Sequence, residues 1–139
     1  MSHMNQEKKS KIAQNLKPIL AKYGIKASLA VRNHSSIVLN IKSGTIDFIG
    51  NFNSSINTQR GDRKAEGYID VNPYWYQEHF SGVAKEFLTE AMTALKSADW
   101  YDKSDIQSDY FNIAYYVDIN IGKWHKPYQF EDKWATVTV

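Results

Sequence analysis

The sequence predicts an α+β fold: a two-layer sandwich with an antiparallel sheet of about four to five strands and two main helices on one face. Three observations predict it. Apolar and polar residues alternate in short runs separated by turn residues between Ala27 and Phe52. Two stretches, near 12–23 and 83–95, repeat their apolar residues at helical spacing. A final run, Tyr110 to Ile121, alternates over its whole length. Period two marks a strand with one buried face, and a period near 3.6 marks a helix.

The first helix rests on Ile12, Leu16, Ile19, Leu20 and Tyr23, which fall on one stripe, with Gly24 as its stop. Pro18 interrupts it, so the helix is either kinked there or begins near Lys17. Three strands follow: Ala27 to Val31, Ile37 to Ile41, and Thr45 to Phe52, with turns at 33–36 and 43–44. Short turns between alternating runs are the signature of an antiparallel meander. Residues 53–66 are polar and basic, and read as a mobile loop. Tyr68 to Asn72 reads as a short strand stopped by Pro73, and 74–80 as a short aromatic helical turn. The second main helix opens at Ser81 or Gly82, with Val83, Phe87, Leu88, Ala91, Met92 and Leu95 on its stripe. Gly122 ends the last strand.

The chain of 139 residues suits a single domain and contains no cysteine, which excludes disulfides and thiolate metal sites. Met1-Ser2-His3-Met4 reads as a cloning scar, which sets the domain at 5–139. No apolar run approaches the roughly 20 residues that cross a bilayer, and the lysine-rich N-terminus lacks the apolar core of a signal peptide. Membrane partners are therefore not expected. The net charge of +2 is unevenly spread: residues 1–70 hold 11 basic and 5 acidic residues, and residues 71–139 hold 6 and 10. The basic half suits either a solvated lysine-rich helix face or phosphate contacts, with Arg32, Arg60, Arg63 and Lys64 as the nucleic-acid candidates.

Three groups of residues carry the functional options. Asp102, Asp105 and Asp109 stand beside two serines, a set of oxygen donors of the kind Mg²⁺ or Ca²⁺ takes. Their spacing is not that of an EF-hand, and Ser and Asp equally serve turns and helix caps. They are the candidates for a metal-dependent hydrolase, with no further catalytic residue assigned. Gly122-Lys123-Trp124-His125-Lys126-Pro127-Tyr128 sets two cations and a histidine among aromatics, suited to stacking a base or meeting a phosphate. It equally suits a turn with Trp124 and Tyr128 folded over the core edge. Tyr110, Asn112, Tyr116, Asp118 and Asn120 line the outward face of the last strand, a surface suited to recognition because Tyr gives large contact area at low entropic cost. The partner-binding candidates are thus Tyr110, Asn112, Tyr116, Asp118, Trp124, His125 and Tyr128. No glycine-rich phosphate loop, no GxSxG elbow and no paired-histidine motif is present, so no cofactor is expected.

The run Tyr101-x-x-Ser104-Asp105-x-x-x-Asp109-Tyr110-Phe111, followed by Ile121-Gly122-x-Trp124-x-x-Pro127-Tyr128, resembles a large polyvalent protein-associated type of domain carried by phages and conjugative elements. The likeness extends over about 10–128, with its specific part at 100–128. It implies a small non-enzymatic accessory protein of a mobile element, working in the bacterial cytoplasm and binding a host protein so as to counter a host defence system. It transfers no catalytic residue.

Overall fold

The structure is a computed structural model, which describes residues 4–55, 65, 67–71, 73, 76–98, 100, 114–123 and 125–131. Its first element, α1 (Gln6–Tyr23), is capped by Asn5, whose side chain accepts from the Lys8 N–H at 2.8 Å. The helix runs unbroken through Pro18 and does not begin near Lys17. Pro18 lies on the exposed side, where the carbonyl that loses its amide partner can turn to water. Gly24 closes α1 in the left-handed conformation, at φ 65°. Met4, expected within a cloning scar, is fully buried, and its N–H donates to the His34 carbonyl at 2.7 Å.

Strands β1 (Ile25–Arg32) and β2 (Ser36–Gly44) form the expected hairpin, in register from Arg32 opposite Ser36 to Ala27 opposite Ile41, with an irregularity between Lys26 and Ala27. The third predicted strand is instead a helix, α2 (Phe48–Ser55). Asp47 caps it by accepting the Gly50 N–H at 3.0 Å. Ile46 and Phe48 mimic strand alternation, but Phe48, Ile49 and Phe52 also fit one helix face, and the cap decides between them. Residues 53–55, expected in a loop, belong to this helix; 56–64 lie outside the described residues.

Next come β3 (Ile69–Val71), α3 (Tyr76–His79) and α4 (Gly82–Leu95), close to their expected places. Ser81 donates its N–H to Asn51 at 2.9 Å and accepts from the Asn51 amide at 3.2 Å, which ties α2 to the start of α4. The buried stripe of α4 is Ala84, Phe87, Leu88, Ala91, Met92, Ala94 and Leu95; Val83, expected on it, is exposed. The last strands are β4 (Tyr116–Ile121) and β5 (Gln129–Phe130). Of the long alternating run, 110–113 lies outside the described residues, and Ala114 and Tyr115 precede the strand.

The sheet is mixed rather than antiparallel. Its order is β1-β2-β4-β3, with β5 also on β2. The β2–β4 pair is parallel, from Ser36 opposite Tyr116 to Ile41 opposite Ile121, and β5 is parallel to β2 as well. A parallel pair needs a crossover, which no hairpin count reveals. Here α2, β3, α3 and α4 supply it.

One apolar cluster takes Ile37, Leu39 and Ile41 of β2, Val117, Ile119 and Ile121 of β4, and the stripes of α1 and α4. Phe48 sits in it with three rings around it: Phe80 at 6.3 Å, Phe87 at 5.7 Å and Tyr128 at 5.4 Å between centroids. Tyr115 is fully buried; its hydroxyl donates to the Leu95 carbonyl at 2.6 Å and accepts the Ala98 N–H at 3.3 Å. Its own carbonyl accepts the Trp100 indole N–H at 2.8 Å. The end of α4 is thereby fastened to the start of β4. Tyr115→Phe should cost about 1–3 kcal/mol, the range for stranding buried polar groups, read as a lower urea midpoint at unchanged slope.

On the surface, α1 and α4 are joined by Glu90, which accepts from the Tyr23 hydroxyl and from Lys22 at 3.2 Å. The hydrogen bond from Tyr23, and then that from Lys22, holds the Glu90 carboxyl below its ordinary 4.5. Its contribution to stability is therefore full above pH 4.5 and disappears as the pH falls through the lower folded value. Tyr23 and Lys22 are both raised, chiefly by their hydrogen bonds to Glu90, so their share is lost at the alkaline end. The stability gap between the protein and Glu90→Gln should be widest at neutral pH and close on acidification, measured by urea titration at a series of pH values.

Candidate functional site

The sheet has a second face, outside the apolar cluster. Register places on it Ser28, Ala30 and Arg32 of β1, Ser36, Val38, Asn40 and Lys42 of β2, Tyr116, Asp118 and Asn120 of β4, and Asp70 of β3. Tyr116 is 47% exposed. Arg32 and Asp118 form an ion pair and, because β2 lies between their strands, the pair bridges that strand. Asn120 donates to Asn40 at 3.2 Å across the parallel pair. Val38, opposite both Ala30 and Asp118, is buried on this side.

Between β4 and β5 the chain leaves the edge of β2 and returns to it. Gly122 donates its N–H to the Ile41 carbonyl at 2.9 Å; Lys123 and Lys126 then exchange both backbone hydrogen bonds, at 2.9 and 3.0 Å. Tyr128 brings the chain back, its N–H on the Gly67 carbonyl at 2.8 Å and its hydroxyl on the Ile46 carbonyl at 2.7 Å. Burial, with the charge of Asp47 adding to it, pushes the Tyr128 phenol far above its ordinary pKa, so it stays a donor at any physiological pH. This excursion and the sheet's second face enclose a cleft of about 540 Å³, within the range of ligand pockets, lined by Ser28, Asn40, Lys42, Lys123, His125 and Lys126 among others.

The structure thus brings some expected site residues together and removes others. Tyr116 and Asp118 lie on the second face, and His125 lines the cleft at its end. Tyr128 does not present its ring to a partner; it is a core residue beside Phe48, as the alternative of a turn folded over the core edge holds. Arg32 is neutralised by Asp118 and so is not an isolated cation for phosphate. Tyr110, Asn112, Trp124, Arg60, Arg63, Lys64, Asp102, Asp105 and Asp109 lie outside the described residues. Among the described residues, no group of three or more metal-ligating side chains comes together. The sequence gives no sign of Lys42 as a site residue, because its place beside Lys126 depends on the parallel register. Compared with family models, curated proteins and solved structures, the chain matches none.

Gly122 is the pivot of the excursion. Its φ is 69°, and a Cβ there would lie 2.4 Å from the Tyr128 nitrogen and 2.7 Å from the Gly67 oxygen. Gly24 is also left-handed, but the nearest atoms to a Cβ there are side-chain atoms of Thr45, the first at 3.0 Å, rather than backbone. Gly24→Ala should cost about 1–2 kcal/mol, the left-handed penalty alone. Gly122→Ala must also displace backbone, so its loss in chemical denaturation should be clearly the larger of the two.

Proposed function

We propose that this chain is a non-enzymatic binding module, an accessory protein of a phage or mobile element that engages a host protein and so counters a host defence. On this reading the fold is two layers, with both long helices on one side of the sheet and the other side left for the partner. The observation that carries the reading is the composition of that second face. It sets an exposed Tyr116 beside an Arg32–Asp118 pair whose charges already answer each other. Protein interfaces favour tyrosine at their centre and disfavour unanswered charge. The mobile-element part rests on the resemblance carried by 100–128, and the expected setting is the bacterial cytoplasm.

The test is capture of tagged protein from bacterial lysate, with and without nuclease, beside two single variants. Tyr116→Arg alters the second face; Val83→Arg alters an exposed position on α4. One host protein should be retained in both nuclease arms, lost with Tyr116→Arg and kept with Val83→Arg. Retention only without nuclease, or equal loss in both variants, would contradict the proposal.

A further inference from the structure

We infer that the cleft under the Gly122–Tyr128 excursion receives a short acidic segment of the protein partner; the inference rests on the binding-module reading above. Three lysines, Lys42, Lys123 and Lys126, line the cleft, and none of them has an ion-pair partner among the described residues. The carboxylate in the lining, Glu131, faces Lys26 at 3.9 Å. The backbone sets two of these lysines directly opposite each other, Lys123 against Lys126 in a closed turn. Like charges so placed oppose folding, and an anion between them relieves the repulsion. Ser28 and Asn40 add polar groups on the floor.

Among the described residues of this face, the unpaired positive charge is local to the cleft. Asp118 and Asp70 lie on the same face beyond the cleft, and Arg32 is already paired. A nucleic-acid strand needs cations along a continuous track, and this face interrupts one. A few carboxylates on one segment match a single basic cleft. The site is built from lysine, which meets anions as a point charge and does not demand the flat, two-pronged geometry of arginine.

The experiment is fluorescence anisotropy of a labelled peptide of alternating Glu and Asp with the full chain, beside single-stranded and duplex DNA of similar charge. The peptide should bind at about 50 mM salt and weaken tenfold or more by about 300 mM, as an electrostatic contact does. The triple variant Lys42→Glu, Lys123→Glu, Lys126→Glu should abolish binding; Lys85→Glu, on α4, should leave it unchanged. The single variant Lys126→Glu should raise the melting temperature while weakening peptide binding, which separates a lost site from a lost fold. Absence of peptide binding, indifference to the triple variant, or DNA binding at least as tight through the same lysines would each overturn the inference. Host-protein capture that survives the triple variant but not Tyr116→Arg would overturn it while leaving the binding-module reading intact.

Discussion

The parallel pairing of β2 with β4 is the constraint on which the rest of the structure depends. Two adjacent parallel strands cannot be joined by a turn, so the chain between them must cross over, and that crossover is α2, β3, α3 and α4. The crossover brings Phe48, Phe80 and Phe87 over the odd-numbered residues of both strands. It also sets the register of the two strands, whose pairing runs from Ser36 opposite Tyr116 to Ile41 opposite Ile121. The second face therefore runs in one direction, from Tyr116 at one end to the lysine-lined cleft at the other. That span is about 16 Å at the rise of a parallel strand.

The excursion after β4 joins the core to the cleft. Tyr128 anchors it from inside, against Phe48 and the Ile46 carbonyl, while Lys123, His125 and Lys126 remain exposed on the other side. Gly122 permits the sharp departure, because any side chain there would strike the returning backbone. One short segment thus fills the core with Tyr128 and supplies the cations Lys123 and Lys126. The two readings open for that segment divide residue by residue: Tyr128 is structural, and His125 and the lysines face the cleft.

Local pattern made much of the fold legible. The stripes of α1 and α4, the β1–β2 hairpin, the short strand at 69–71 and the alternation of 117–121 all follow from apolar spacing, because each depends on burying one face. Two features were not legible. The segment 45–52 carries both periods, and only the Asp47 cap distinguishes helix from strand. The direction of β4 beside β2 leaves no local trace, since alternation is the same in parallel and antiparallel strands. The candidate site inherits that limit. Tyr116 and Asp118 follow from their outward parity, but the meeting of Lys42 with Lys123 and Lys126 depends on register across the crossover. The pairing of Arg32 with Asp118, which removes one expected phosphate contact, is hidden for the same reason.

Direct observation of strand direction tests this account most sharply. Nuclear Overhauser contacts between β2 and β4, in uniformly labelled protein, report which residues face each other. The parallel register predicts contacts linking Ile37 with Val117 at one end and Ile41 with Ile121 at the other. Contacts linking Ile37 with Ile121 would make the pair antiparallel, separate Lys42 from the Lys123–Lys126 turn, and dissolve both the face and its cleft.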